Sequence, residues 1–223
     1  MLLPIENLLS AAEVTDFRRV LERADWHDGR MTAGHQSARV KHNLQLAQDD
    51  PLAQELATSL MQRLSAHPLF ITAALPHKLF PPLFNAYREG MDFGLHIDNA
   101  IRGDEERLRT DISCTVFLSA PEEYDGGELI IEDLYGRQSI KLAAGSMVLY
   151  PASSLHRVAP VTRGTRFAAF FWVQSLVRDP LKRRMLLDLD LAIQGLRRAH
   201  GESSELLSLS GLYHNLLRQW ADL

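Results

Sequence analysis

Cysteine is almost missing from this chain: one thiol, Cys114, in 223 residues. A lone cysteine closes no internal disulfide and builds no thiolate cluster, which excludes disulfide-stapled secreted scaffolds and cysteine-rich zinc modules and makes a reducing compartment the default. Long apolar runs are missing too. No stretch approaches the roughly 20 residues that cross a bilayer, and the opening Met-Leu-Leu-Pro-Ile-Glu has no basic segment, so neither a membrane span nor a leader is expected and the expected location is cytoplasmic. Nor is either sign of charge in excess. With 24 Lys and Arg against 28 Asp and Glu, a formal net charge of -4 gives no field that would draw the chain to nucleic acid or anionic lipid. Repeats and low-complexity linkers are absent. What remains, 46% hydrophobic and 23% charged residues, is the composition of an ordinary globular protein large enough for one domain and an appendage.

The hydrophobic period changes twice along the chain. Ser10 followed by Glu13 is a capping box, and Val14, Phe17, Val20 and Leu21 recur at helical spacing behind it. Asp50-Pro51 opens a second helix with Leu52, Leu56, Leu60 and Leu64 on one face. From about Phe80 to Ser175 the pattern is short runs of Val, Ile, Leu, Phe and Thr between Gly, Pro, Asn and Asp clusters: 83–88, 112–119, 128–132, 138–142, 146–150, 155–158 and 166–174. Strands this short and this close, with no helices between them, connect mainly antiparallel and predict a sandwich, jelly roll or barrel. After Gln174 the helical period returns. Asp179-Pro180 starts a helix with Leu181, Met185, Leu189, Ile193 and Leu196 on one face, Gly201 ends it, and a last helix from Ser204 carries Leu206, Leu209, Leu212, Leu216 and Trp220. Two units are therefore expected, residues 1–177 and a C-terminal helical hairpin, 178–223, whose apolar face packs on the barrel or on a second subunit as a homodimer.

Chemistry concentrates in two places. His96 and Asp98 follow a predicted strand two positions apart, and in extended chain such side chains share a face, so an imidazole and a carboxylate can reach one metal ion; a turn with a solvated aspartate explains the pair equally well. Downstream, His156 begins a strand, and Arg166 sits in a second one that otherwise reads Phe-Ala-Ala-Phe-Phe-Trp-Val. A guanidinium directed into a sheet core needs an anionic partner; at a solvated strand start it needs none. Other features carry less. Gly126-Gly127-Glu128 reads as a hairpin turn, Lys182, Arg183 and Arg184 as a solvated helix step, Cys114 as a small buried thiol, and His27, His35, His42, His67, His77, His200 and His214 as surface or packing residues.

Taken together, His96, Asp98 and His156 form a 2-His-1-carboxylate set followed ten residues later by Arg166, and the chain resembles the Fe(II)- and 2-oxoglutarate-dependent dioxygenases. Tyr87-x-x-Gly90, Asp125-Gly-Gly-Glu-Leu129 and the spacing from His156 to Arg166 are similar to the prolyl-4-hydroxylase-like branch; 38–46 and the helical tail are similar to its bacterial PKHD-type hydroxylases. The resemblance implies an α+β fold around a double-stranded β-helix (jelly-roll) core, with N-terminal helices and a C-terminal helical hairpin. It also implies Fe(II) on His96, Asp98 and His156, 2-oxoglutarate on Arg166 with Tyr87 contributing, O2 as oxidant and L-ascorbate as reductant. The implied activity is hydroxylation of a peptide or small molecule, with a link to iron homeostasis. Phe93 departs from the pattern where relatives carry a second tyrosine, which removes one hydrogen-bond donor to the cosubstrate. Two readings compete: a zinc-dependent hydrolase or isomerase on a cupin-like barrel, against which Arg166 argues, and a non-catalytic iron-binding sensor.

Overall fold

Helices begin where their capping residues stand. In the computed structural model, which describes residues 1–32, 37–103, 106–133 and 136–223, the Ser10 hydroxyl accepts from the Glu13 amide while the Glu13 carboxylate accepts from the Ser10 amide, and α1 runs Ala11–Leu21 with Phe17 and Leu21 buried. Asp50 accepts from the amides of Leu52 and Ala53 to open α2, Pro51–Ala66; Leu56, Leu60 and Leu64 face the core, whereas Leu52, in the first turn, stays exposed. The sequence pattern does not anticipate α3, Pro68–Ala74, a seven-residue helix capped by the His67 ring. It is too short to display an apolar period. Asp179 and Ser203 cap α4, Pro180–His200, and α5, Ser204–Trp220. His35 lies outside the described residues.

The strands, in chain order, are β1 Leu3–Ile5, β2 His27–Asp28, β3 Lys41–His42, β4 Leu44–Gln45, β5 Pro76–Leu79, β6 Leu83–Arg88, β7 Asp92–His96, β8 Ile101–Arg102, β9 Leu108–Arg109 and β10 Ile112–Phe117. They continue with β11 Tyr124–Gly126, β12 Leu129–Asp133, β13 Gly136–Ile140, β14 Met147–Pro151, β15 Leu155–Val158 and β16 Val161–Ser175. All pairings described are antiparallel. One sheet has the order β1-β14-β10-β16-β6-β4-β2, with β5 and β11 added against β16; the second is β13-β12-β15-β7-β3; β8 and β9 form a separate hairpin.

Alternation along β16 places the core and the pocket. Phe167, Ala169, Phe171 and Val173 join Phe17, Leu21, Leu60, Leu64 and Phe70 in a core between the larger sheet and helices α1 to α3. The intervening Arg166, Phe170 and Trp172 point the other way, toward the second sheet, where Tyr87, Phe117, Val148 and Tyr150 meet Leu129, Ile131 and Val158. β16 begins at Val161, five residues before the run read from sequence, so Arg166 lies within the strand and not at a frayed start.

The C-terminal hairpin packs on the body through Leu186, which joins Leu75, Val177, Tyr213, Leu216, Leu217 and Trp220. The packed face of α4 differs from the expected one: Leu186, Leu187 and Ile193 are buried with Arg183, whereas Leu181, Met185 and Leu196 are exposed. Arg183 explains the rotation. Far from being solvated beside Lys182 and Arg184, its Nη1 donates to the carbonyls of Val177 (2.6 Å) and Arg178 (2.8 Å), two groups at the helix approach that need donors, and this turns its own row of residues inward. The chain end is tied down by the Asp222 amide on the Leu176 carbonyl (2.7 Å) and by the Asp222 carboxylate on Arg178 (3.2 Å). No helix among the described residues is long and apolar enough to cross a membrane.

Candidate active site

Strand pairing assembles the site. In the register of β7 against β15, His96 is the cross-strand neighbour of His156, which sets the two rings side by side with centroids 4.2 Å apart. The sequence reading places His96 and Asp98 after a strand in extended chain; in the structure His96 is itself on a strand, β7, and Asp98 lies beyond its end. β7 ends at His96, and the chain beyond turns Asp98 inward until its Oδ1 is 4.0 Å from His96 Nε2 and its Oδ2 3.8 Å from His156 Nε2. One ligand-type atom from each residue lies within 4.8 Å of the others, in the one such group of His, Cys, Asp and Glu found among the described residues. The Asp98 side chain is 9% exposed, so a solvated turn aspartate is not what the structure contains.

Neighbouring groups orient these three side chains. Nδ1 of His96 lies 2.8 Å from the Gly94 carbonyl, and Nδ1 of His156 lies 3.0 Å from the Ser154 carbonyl. Each ring donates Nδ1–H to a carbonyl two residues back, which leaves the Nε2 lone pair directed at Asp98. Burial, with the neighbouring His156 adding to it, pushes His96 down to about 4, so its imidazole is neutral near pH 7. Phe93 stacks on His96 with centroids 3.7 Å apart, and the Ser113 hydroxyl donates to Asp98 Oδ2 at 2.6 Å.

Arg166 is 1% exposed, with its Cζ 5.3 Å from the Tyr87 ring centroid and 5.4 Å from that of Phe117. Its Nε and Nη1 have no hydrogen-bond partner among the described residues; the buried Tyr124 hydroxyl approaches the guanidinium but likewise lacks a hydrogen bond of normal geometry. Two buried donors of a charged group left unmet are a large penalty unless a ligand meets them. Tyr87, itself 1% exposed, has its phenol pushed up to about 12 by burial, partly opposed by the Arg166 charge. The glycine pair of the 125–129 turn makes room for this arrangement. Gly127 adopts φ +66°, and a Cβ there would come within 3.0 Å of the Tyr124 ring and Val161 and within 3.1 Å of Arg166 Cδ.

His96, Asp98, His156, Tyr87 and Arg166 all line one pocket between the two sheets. Lys41, Asn85, Arg102, Ser113 and Tyr150 line it too, and sequence reasoning passed over each of them. Their signal was present for Asn85 and Ser113, polar residues at inward positions of apolar strands; for Lys41 and Arg102, cations on two-residue strands, there was none. Other histidines stand apart: His42 pairs with Asp92 at the surface (2.7 Å) and His67 caps α3. Cys114 is buried, as read, and its thiol is raised well above its ordinary value by desolvation.

Comparison with known proteins agrees with this geometry. The sequence profile of the 2OG-Fe(II) oxygenase superfamily matches residues 82–174, and that of the PKHD-type hydroxylase C-terminal domain matches 181–222. A PKHD-type hydroxylase of Pseudomonas putida is 60% identical over 225 aligned residues that cover 100% of both chains. Among solved structures, a Pseudomonas putida prolyl-4-hydroxylase superposes with a TM-score of 0.57 at 17% identity, over 78% of this chain and 92% of that one. HygX of Streptomyces hygroscopicus, solved with nickel, 2-oxoglutarate and hygromycin B bound, superposes with a TM-score of 0.55 at 17% identity, over 78% and 82%. At such identities the two structures are alike in fold alone.

Proposed function

The chain belongs to the PKHD-type hydroxylases of the 2OG-Fe(II) oxygenase superfamily, and from that premise we propose which residues carry the activity. It is a 2-oxoglutarate-dependent dioxygenase. On our reading His96 Nε2, His156 Nε2 and an Asp98 oxygen hold the Fe(II), and Arg166 holds the distal carboxylate of 2-oxoglutarate. The donor set fits: two imidazoles, each with Nδ1 against a backbone carbonyl, and one carboxylate would offer three ligand atoms to one Fe(II) and would leave room for the cosubstrate and O2. The unmet Nε and Nη1 of Arg166 fit a carboxylate, which accepts a guanidinium edge through two oxygens. When bound, the two would supply the oxidative chemistry in which O2 hydroxylates a C–H bond and 2-oxoglutarate is converted to succinate and carbon dioxide.

The chain's own residues orient and enclose. The Gly94 and Ser154 carbonyls fix the imidazole tautomers, the Ser113 hydroxyl donates to Asp98 Oδ2 and orients the carboxylate, and the stacked Phe93 holds the His96 ring plane. The Tyr87 and Phe117 rings hold the guanidinium of Arg166 in place, and with no tyrosine at position 93 the distal carboxylate depends on that guanidinium the more. We read the two facing antiparallel sheets as the double-stranded β-helix that the resemblance implies, residues 1–177 as the dioxygenase unit and 178–223 as its helical extension. The resemblance also supports L-ascorbate as reductant, a cytoplasmic location and a link to iron homeostasis; a second copy of the chain, docked on the exposed Leu181, Met185, Leu207 and Leu212, would make the homodimer. The zinc hydrolase and non-catalytic readings lose ground, since neither uses a buried guanidinium with unmet donors.

The observation that carries this reading is the convergence of three ligand atoms and the buried, unmet Arg166 on one pocket. Succinate formed from 2-oxoglutarate by the Fe(II)-loaded protein tests it. Formation in the wild type and its loss in His96→Ala and Asp98→Ala is the expected result; equal succinate in the variants, or none in the wild type with or without cell extract, would refute it.

A further inference from the structure

A buried phenol beside Arg166 has no part in the roles assigned above. Tyr124, on β11, is 0% exposed and stands with Arg166 and Tyr87 among the largest fully buried side chains described. Strand pairing brings it to Arg166. In the register of β11 against β16, Tyr124 faces Gly164, two positions before Arg166, and positions two apart on one strand share a face. Gly127 marks the same proximity: a Cβ there would lie 3.0 Å from Tyr124 Cε2 and 3.1 Å from Arg166 Cδ, so the ring and the arginine stem flank one point.

Hydrogen-bond accounting shows what this phenol lacks. Its hydroxyl is buried without a partner, as are Nε and Nη1 of Arg166. The two side chains cannot complete each other. A guanidinium carries donors only, so even where the Tyr124 oxygen accepts from it, the phenolic proton is left with no acceptor. The carboxylates that act on Tyr124, Glu128 and Glu123, do so through charge and not through a hydrogen bond, and Glu123 is bound by Arg18 at 2.7 Å. Burial raises the phenol above its ordinary value, with the Arg166 charge opposing, so the proton is in place near pH 7. The ring is also held: Lys141 Nζ lies 4.1 Å from its centroid and donates to the Tyr124 carbonyl at 2.7 Å. Unmet donors from two adjacent side chains are complementary to one oxyanion, and a hydroxyl buried without a partner is a cost that filling space alone does not require.

We propose that Tyr124 is a second binding residue for the distal carboxylate of 2-oxoglutarate, its O–H donating to one carboxylate oxygen while the Arg166 guanidinium holds the group. Phe93, stacked on His96, offers no hydroxyl, and the donor comes instead from β11. The inference deepens the dioxygenase reading and rests on it, because it takes Arg166 to be the residue that receives the distal carboxylate.

Calorimetry on the full-length protein loaded with Mn(II) tests it, with 2-oxoglutarate and 2-oxopentanoate as titrants; the second has the same five-carbon 2-oxo acid chain but ends in a methyl group. Tyr124→Phe removes one oxygen and keeps the ring. Its affinity for 2-oxoglutarate should fall roughly tenfold, the loss of one hydrogen bond to a charged group, whereas affinities for 2-oxopentanoate and for Mn(II) should stay within about twofold of wild type. Thermal melting separates a ligand role from a structural one. Without 2-oxoglutarate, Tyr124→Phe should melt no lower than wild type, because an unmet buried hydroxyl is gone, and a fixed concentration of 2-oxoglutarate should raise its melting temperature less. Unchanged 2-oxoglutarate affinity in Tyr124→Phe, an equal fall for both titrants, or a lower melting temperature without ligand would overturn the proposal. Arg166→Lys, titrated alongside, tells this failure from that of the reading beneath it. If only Arg166→Lys loses 2-oxoglutarate, Tyr124 alone leaves the site; if neither variant loses it, Arg166 leaves as well.

Discussion

Arg166 and Ser113 show how differently residues of one site announce themselves. A guanidinium inside a Phe-Ala-Ala-Phe-Phe-Trp-Val strand is conspicuous in the sequence, because burying an unmatched charge is so unfavourable that a ligand is the natural explanation. His96 and Asp98 alone are explained equally well by a solvated turn, and the pair becomes legible only when it is set beside His156 and Arg166 in the family's pattern. Ser113 is invisible at that level, since its role comes only from Asp98 folding back to within 2.6 Å of its hydroxyl. Each residue makes a separable prediction. Arg166→Lys keeps the charge but loses the planar fork, so 2-oxoglutarate affinity should fall at least about tenfold while affinity for Mn(II) changes little; calorimetry on the two ligands in turn reads this directly. Ser113→Ala should do the reverse. Freed from its hydrogen bond, Asp98 loses its preferred orientation, and metal affinity should drop by roughly 10- to 100-fold, as measured by competition with a chelating dye, with 2-oxoglutarate binding to the metal-saturated variant retained.

At the scale of elements, caps were the most reliable signal and faces the least. Ser10, Asp50 and Asp179 each mark a helix start to the residue, because a side-chain acceptor for the first free amides is a local requirement that no distant contact replaces. Strands β6 and β15 match their apolar runs, whereas α3 and β7 escaped, the one being too short for a period and the other polar and glycine-containing (Asp-Phe-Gly-Leu-His). On α4 the sequence offers two apolar rows, and choosing between them required knowing that Arg183 reaches the Val177 and Arg178 carbonyls. That choice is testable. Leu186→Ala, at a fully buried position, should cost about 2 to 5 kcal/mol in urea denaturation, while Leu207→Ala, at a position 75% exposed, should stay within about 0.5 kcal/mol of wild type. The 125–129 turn offers a second test. Gly127→Ala forces a Cβ into a left-handed backbone against Tyr124 and Val161, so melting should fall by an amount equivalent to about 1 to 2 kcal/mol, and 2-oxoglutarate affinity should fall with it because Arg166 is displaced.

The whole molecule is organised around one asymmetry: the larger sheet spends one face on helices α1 to α3 and keeps the other for chemistry. Its strand β16 carries Arg166 at one end of the pocket and Trp172 toward the other, and the smaller sheet supplies both histidines across from it. The antiparallel architecture was readable from strand length and spacing, since helix-free connections this short admit little else. Register was not. Which inward residue opposes which, and hence that Lys41 and Arg102 join the pocket, depends on pairing between strands distant in sequence. The central claim is that one ion on His96, Asp98 and His156 shares the pocket with a dicarboxylate held by Arg166. A crystal structure of the full-length protein grown with Mn(II) and 2-oxoglutarate tests it most directly. The account predicts a single Mn(II) bonded to His96 Nε2, His156 Nε2 and an Asp98 oxygen at about 2.0 to 2.3 Å, with the 5-carboxylate of 2-oxoglutarate on the Arg166 guanidinium. An ion on any other residues, or a 2-oxoglutarate whose far carboxylate lies away from Arg166, would contradict it.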